Sequence, residues 1–266
     1  MEVLHVSAEC FPVAKVGGLA DVVGALPKYQ NKSGISAKVI MPYYENEYTK
    51  NNKFSEVSEG IINLGDLFYN FQILKLKSDL GFELFMVKIP GLLYRENVYG
   101  YNDDAERFIA FQIAVLDWVL KSKLKLDIIH CHDYHTGLMP FMLSNSIKYS
   151  NIKEIPTIFT IHNAQYQGQF THDKVNYIPQ FDFSNIGLLD WDGQINPLAA
   201  AIKCAWRITT VSPCYMEELK INANGLEGLL SHESAKCFGI LNGIDTKVWN
   251  PETDDQLIKK YSEKTI

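Results

Sequence analysis

Several short stretches of the sequence carry residue types that bind anions or hold sugars. The first is "KVGGLAD", in which Lys15 and the pair Gly17 and Gly18 precede an apolar helical pattern that contains Asp21. Glycines at a helix entrance let backbone N–H groups approach an anion closely, and the helix dipole favours negative charge there. A tight strand-to-helix turn explains the same residues equally well, and Asp21 is stable in a first helical turn without any ligand.

Three other stretches place polar residues directly after apolar runs. Asp133 follows such a run in "HCHDYHTGL", His162 and Asn163 follow one in "TIHNAQYQG", and Asn242 follows one in "LNGID". These residues are suited to ligand contacts, although loop capping accounts for His162 and Asn163 equally well in isolation. The histidines of "HCHDYH" also raise the possibility of a metal site. That is the weaker interpretation, because His130 lies within the strand pattern and can be an ordinary core residue.

The elements that position these residues follow an α/β order. Helical patterns cover residues 18–34 and 103–122, residues 59–77 and 81–90 predict adjacent antiparallel strands, and residues 256–266 predict a polar helix. The other strand patterns are continuously apolar, which is typical of parallel strands covered on both faces. We therefore expect a Rossmann-like, doubly wound parallel sheet, with the polar residues gathered where ligands bind, beyond the carboxyl ends of its strands. The remaining predicted strands are residues 2–10, 36–44, 126–132, 156–163, 207–212 and 237–245.

Composition excludes several classes of partner. The chain has 266 residues, 47 % of them hydrophobic, which is enough for a sizeable core. A net charge of -6 argues against a nucleic-acid or anionic-membrane surface, and no apolar run reaches the roughly 18 residues that span a bilayer. Five cysteines without a C-x-x-C pair predict reduced thiols in a cytoplasmic protein, and the N-terminus predicts no cleaved signal.

Taken together, the motifs are more specific than any one of them. Their order closely resembles the N-terminal half of bacterial glycogen synthases and plant starch synthases, and the resemblance runs from Met1 to the end of the chain. It implies the N-terminal catalytic domain of a glycosyltransferase-B fold over residues 1–250 and an interdomain linker or helix over 251–266, with the second, nucleotide-binding domain absent from this chain. The motifs are "KVGGLADVVGALP", "YNDDAERF", "HCHDYHTGL", "TIHNAQYQG", "VSPCY", "GLEGLL", "LNGID" and "WNPETD".

The resemblance also implies an activity. Such enzymes transfer glucose from ADP-glucose or UDP-glucose to the non-reducing end of an α-1,4-glucan, with retention at the anomeric carbon and without a metal or other cofactor. The sugar nucleotide and the glucan are then the partners of this chain. The site residues that the resemblance implies are the catalytic Asp21, Asp133 and His162 and the substrate-binding Lys15, Gly17, Gly18, Asn163 and Asn242.

Two other functions remain open at this stage. In the family that the sequence resembles, the second domain supplies an Arg/Lys pair for the diphosphate and most of the nucleotide pocket, so we expect this chain to need a separate C-terminal domain or subunit for activity. One alternative is a non-catalytic glucan-binding or regulatory half-subunit of a glycogen synthase. The other is an unrelated hydrolase that uses Asp21 and Asp133 as its two carboxylates, which would depend on their separation in space.

Overall fold

The computed structural model describes residues 1–122 and 124–265. Its strands are β1 (Glu2–Val6), β2 (Ser36–Pro42), β3 (Phe54–Leu64), β4 (Leu67–Leu76), β5 (Glu83–Lys88), β6 (Ile128–His132), β7 (Thr157–Ile161), β8 (Asp190–Trp191), β9 (Gln194–Ile195), β10 (Arg207–Thr210) and β11 (Cys237–Gly239). Its helices are α1 (Gly18–Lys32), α2 (Glu47–Asn51), α3 (Asp104–Lys121), α4 (Met139–Asn145), α5 (Pro197–Cys204), α6 (Pro213–Leu219) and α7 (Glu227–His232).

The main sheet has nine strands in the order β11-β10-β7-β6-β1-β2-β5-β4-β3. All pairs from β11 to β5 are parallel, while β4 is antiparallel to both of its neighbours. From β1 the chain runs outward through β2 to the edge strand β3, comes back through β4 and β5, and then crosses to β6 on the other side of β1. The predicted doubly wound parallel sheet is confirmed, and its topological switch point lies between β1 and β6, where ligands bind in such folds.

Two apolar cores cover the two faces of the sheet. The larger core joins alternate strand residues such as Leu4 and Ile129 to α3, α4 and α5, and the smaller core joins Val39 and Met41 to α1 through Leu19. Because side chains alternate along a strand, His5 on β1 points away from the face that Leu4 covers. In the register between β1 and β6, His5 lies beside His130, so both imidazoles share the face that α1 covers.

One predicted strand is in fact a hairpin. The sequence patterns favoured a single strand over residues 59–77, whereas β3 and β4 pair antiparallel and turn between Leu64 and Leu67. The turn contains Gly65, whose φ of 57° lies in the left-handed region that glycine adopts without strain. Because the residues on both sides of this two-residue turn are apolar, the sequence pattern does not indicate it. The hairpin continues the sheet beyond β5, with β3 at its edge.

The predicted helix over residues 256–266 does not form in the part that is described. Residues 251–265 contain turns and bends, and Leu257, Ile258 and Tyr261 are exposed; Ile266 lies outside the described residues. An isolated helix of about ten residues is only marginally stable in water, and here no apolar face is buried to support it.

Among the described residues, none of the helices has the length and apolarity that a membrane span requires.

Candidate functional site

A cleft of about 800 Å³ lies beyond the carboxyl ends of the central strands. The loops after β1, β6 and β7 and the segment after β11 all contribute to its walls. Six of the eight predicted site residues line the cleft. The switch point between β1 and β6 therefore brings together motifs that are up to 225 residues apart in the sequence. The six residues are Gly17, Gly18, Asp133, His162, Asn163 and Asn242.

The two glycines at the entrance of α1 leave open space in this cleft. A Cβ atom built on Gly17 or Gly18 would meet no other atom within 4 Å. The backbone of Gly17 is extended, with a φ of -136°, which any residue can adopt. Neither the turn nor the packing of the chain therefore requires glycine there. What the missing side chains provide is room beside the backbone at the start of α1.

Glu9, which the sequence patterns did not identify, shapes the same loop. Its Oε2 accepts hydrogen bonds from the backbone N–H groups of Val16 at 2.5 Å and Gly17 at 3.0 Å, and its Oε1 accepts one from the hydroxyl of Tyr99. Burial raises the pKa of the Glu9 carboxyl, and the two backbone N–H groups oppose that rise. The Gly17 N–H is thus already occupied. Gly18 and Leu19, in the first turn of α1, line the cleft, and the N-terminus of this helix has no side-chain cap.

Lys15 and Asp21 form an ion pair beside the cleft and do not belong to its lining. The ammonium Nζ of Lys15 lies 2.8 Å from Oδ1 of Asp21, and it also lies 5.5 Å from the ring centre of Trp249. Lys15 is exposed and Asp21 is partly exposed, so the pair lies in solvent at the same end of α1 as the two glycines. Such a pair is weak. An incoming anion can therefore take Lys15 from Asp21 at little cost.

Asp133 is the most perturbed carboxyl of the cleft. It has a φ of 56°, and its Oδ1 accepts hydrogen bonds from the backbone N–H of His162 at 2.7 Å and of Asn163 at 3.4 Å. Burial raises the pKa of Asp133 to about 7, with a smaller contribution from the nearby Glu9 carboxyl. A positive φ at a residue other than glycine costs about 1 to 3 kcal/mol and is concentrated at functional sites. Near neutral pH this carboxyl can either donate or accept a hydrogen bond.

The histidines of the central strands are hydrogen-bonded to protein groups. The Nε2 atom of His130 lies 2.6 Å from the hydroxyl of Thr160, while His132 contacts both His5 and His162 through its two ring nitrogens. The rings of His130 and His132 are stacked face to face, with their centres 4.2 Å apart. Ligand atoms of His5, His130 and His132 do lie within 4.8 Å of one another. Their hydrogen-bond partners and stacked rings nevertheless fit a polar core better than a metal centre.

An aromatic group forms another part of the lining. The imidazole of His135 stacks on the ring of Tyr99 with centres 4.8 Å apart, and it also contacts Tyr134 and Phe108. Burial among these rings lowers the pKa of His135 to about 3, so the imidazole is neutral at pH 7. Arg107 fixes the segment that carries Tyr99: its buried guanidinium donates to the carbonyl oxygens of Leu92 and Val98, both at 3.1 Å, and pairs with Asp104.

Comparison with known proteins shows the family of this chain. The family model described as the starch synthase catalytic domain matches residues 2–232. The chain belongs to this family. A glycogen synthase of Flavobacterium johnsoniae is 52 % identical over 98 % of this chain and 56 % of the relative, and one of Halalkalibacterium halodurans is 39 % identical over 100 % of this chain and 56 % of the relative.

A solved structure is similar over almost the whole chain. The catalytic domain of starch synthase IV from Arabidopsis thaliana bound to ADP and acarbose has a TM-score of 0.88 and 31 % sequence identity, and the match covers 99 % of this chain and 56 % of that one. This agreement identifies the sheet as one half of the glycosyltransferase-B fold, as the resemblance implied. The chain thus spans about half the length of the starch and glycogen synthases that it matches.

Sequence reasoning missed Glu9 for a definite reason. Residues 2–10 were predicted as one strand, but β1 ends at Val6 and Glu9 lies in the loop that follows. The available signal was a carboxylate that is followed within nine residues by two glycines and the start of a helix. Tyr134 and His135 lie next to a predicted residue, yet only the fold shows that they line the cleft with Tyr99.

Proposed function

We propose that this chain is the acceptor-side half of a glycogen or starch synthase. The reaction is the retaining transfer of glucose from ADP-glucose or UDP-glucose to the non-reducing end of an α-1,4-glucan. The observation that supports it best is the open space at Gly17 and Gly18, inside a cleft at the switch point of a sheet of this family. A starch synthase with a similar structure binds ADP and acarbose.

The proposed roles follow from the charge that the reaction develops. Departure of the nucleoside diphosphate leaves an oxocarbenium-like sugar and adds negative charge to the diphosphate. Lys15 and the N–H groups at the start of α1 would stabilise that diphosphate, with Lys15 leaving Asp21 to do so. Asp133, His162 and Asn163 would hold the hydroxyl groups of the glucosyl unit and the acceptor. Asn242 would contact substrate from the opposite side of the cleft, and Asp21 would keep the loop neutral until the donor binds.

The proposal includes a second half, since Lys15 and one helix N-terminus are a weak site by themselves. A helix N-terminus contributes about 0.3 to 2 kcal/mol to anion binding and a charged hydrogen bond about 1.5 to 3 kcal/mol. A dissociation constant of about 0.1 mM needs about 5.5 kcal/mol. We therefore propose that a C-terminal domain, on the same polypeptide or on a separate one, completes the nucleotide pocket. No resident cofactor takes part in the proposed reaction, and the proposed location is the cytoplasm.

The experiment compares two glycine substitutions in the protein that contains both halves. Gly18→Ala puts a methyl group into the cleft, whereas Gly228→Ala puts one into open space on α7, away from the cleft. We expect Gly18→Ala to lower kcat/KM for glucose transfer to glycogen by about 10- to 100-fold, because the methyl group would take volume that the bound substrate fills, and such overpacking costs about 1 to 3 kcal/mol. Neither variant should unfold at a lower temperature than the wild type, because alanine favours a helix more than glycine does, and Gly228→Ala should keep full activity.

Four results would count against the proposal. The first is a parent protein that makes no labelled glucan from either sugar nucleotide. The second is equal activity of the Gly18→Ala and Gly228→Ala variants. The third is a protein that glycogen retards on a native gel but that has no transferase activity. This result would favour the non-catalytic glucan-binding alternative. Release of free glucose without chain elongation would instead favour the hydrolase.

A further inference from the structure

A continuous line of hydrogen bonds runs from the surface of α1 to the cleft. It begins at Gln30, whose Oε1 lies 2.7 Å from Nε2 of His5. The Nδ1 atom of His5 lies 3.1 Å from Nε2 of His132, and Nδ1 of His132 lies 3.0 Å from Nε2 of His162. His5 and His132 are buried, and His162 lines the cleft. In each of the three links, the Nε2 atom of a histidine lies next to an atom of the residue that is one step nearer to Gln30.

The amide oxygen at one end determines where every proton in the line lies. An amide oxygen can only accept, so Nε2 of His5 carries a proton and Nδ1 of neutral His5 is an acceptor. Nε2 of His132 must then donate to His5, and its Nδ1 must accept from Nε2 of His162. Burial lowers the pKa of both His5 and His162 to about 4, so these imidazoles are neutral at pH 7. Rotation of the Gln30 amide by half a turn would reverse every proton in the line.

We propose that Gln30 is a positioning residue that acts through His5 and His132 to hold His162 with its proton on Nε2. The Nδ1 atom of His162 is then the ring nitrogen that remains for a ligand in the cleft, and it can only accept a hydrogen bond. A hydroxyl group is the complementary donor. This role rests on the proposed function, since it assigns the hydroxyl to a bound sugar; the placement of the proton does not depend on it.

His130 lies next to this line of hydrogen bonds but does not belong to it. It lies beside His5 in the register and stacks on His132, yet its Nε2 is paired with Thr160, which in turn lies 2.7 Å from Thr209. His5 and His130 thus belong to two separate networks on this face of the sheet. Of these two, the one that begins at Gln30 reaches a described residue that lines the cleft, His162.

The first test uses the unaltered chain and nuclear magnetic resonance of ¹⁵N-labelled imidazoles, which reports the protonated nitrogen of each histidine. We expect His5, His132 and His162 to carry their protons on Nε2 at pH 7. A proton on Nδ1 of His162 would overturn the proposal. This readout needs no substrate, so a failure of the proposed transferase activity would leave it standing, and the reverse also holds.

The second test replaces Gln30 with methionine, which has nearly the same size but no amide oxygen. We expect the preference of His162 for Nε2 to fall about 2- to 13-fold, the range that corresponds to one lost neutral hydrogen bond. In the protein with both halves, kcat/KM for glucose transfer should fall in proportion to the lost population of the Nε2 tautomer, so at most by the same factor. Lys32→Met on the exposed part of the same helix is the control and should change neither quantity. An unchanged tautomer ratio in Gln30→Met would refute the positioning role.

Discussion

Replacing Asp133 with asparagine should change how the stability of the protein depends on pH. In the folded chain the pKa of this carboxyl is raised from 3.8 to about 7, chiefly by burial. Between these two values the folded chain keeps a proton that the unfolded chain has released. The contribution of Asp133 to stability is therefore fully present below about pH 4 and is lost as the pH rises through 7.

The size of this effect follows from the same two values. The interval from 3.8 to about 7 corresponds to about 4 kcal/mol over the whole pH range. About 2 to 3 kcal/mol of it falls between about pH 5 and pH 8.5, since the carboxyl is already mostly ionised in the unfolded chain at the lower limit. Asparagine cannot ionise, and its side-chain oxygen can still accept the hydrogen bond from the N–H of His162.

The assay is urea unfolding of the wild type and of Asp133→Asn at about pH 5 and pH 8.5. The free energy of unfolding of the variant relative to the wild type should rise by about 2 to 3 kcal/mol between the two pH values. A difference that stays constant within about 0.5 kcal/mol would refute the reasoning, because it would mean that burial does not raise the pKa of Asp133. The backbone strain at this residue is common to both proteins and cancels.

Asp245→Asn is the matched control, because it is the same substitution at a carboxyl whose pKa moves in the opposite direction. The hydrogen bond from Lys28 lowers the pKa of Asp245. Its contribution to stability is present above its ordinary pKa and is lost only as the pH falls below that value. The deficit of Asp245→Asn should therefore be equal at about pH 5 and pH 8.5, and it should shrink near pH 3.

Two further substitutions test the contacts that hold the cleft together. Arg107→Met should lower the free energy of unfolding by about 3 to 5 kcal/mol, since it leaves Asp104 and two buried carbonyl oxygens without their partner. A loss below 1 kcal/mol in urea unfolding would contradict this prediction. Lys28→Met removes the 2.7 Å ion pair with Asp245 and should cost about 1 to 3 kcal/mol, whereas Lys32→Met should cost less than about 0.5 kcal/mol. Equal losses for the two lysine variants would show that the pair with Asp245 contributes nothing.

The sequence was sufficient to predict the sheet and the gathering of its loops. Continuous apolar strands predict a parallel sheet, and the carboxyl ends of parallel strands lie at one edge, so Asp133, His162 and Asn242 had to approach one another. Whether Gly17 and Gly18 served a turn or a ligand could not be predicted, because that depends on the empty volume beside them. That volume is created by other loops of the cleft.

The features that sequence reasoning missed depend on contacts between distant residues. The link between His5 and His132 joins positions 127 residues apart, and nothing in either local sequence indicates it. Glu9 was assigned to a strand because the residues around it are apolar, although β1 had already ended. The helix predicted over residues 256–266 failed for the opposite reason: its local sequence favours helix, but no tertiary contact stabilises one in the described residues.

The pair of Lys28 and Asp245 also has a consequence for the order in which the molecule assembles. These residues are separated by 217 positions, and Asp245 follows β11 at one edge of the sheet while Lys28 belongs to α1, which follows the central strand. Contacts of such separation form only after the intervening chain has been organised. The segment around Asp245 should therefore dock last during folding, and its amides should exchange with solvent earlier than those of the central strands. Closure of the cleft wall that carries Asn242 is thus a late event, reached only when the sheet beneath it is complete.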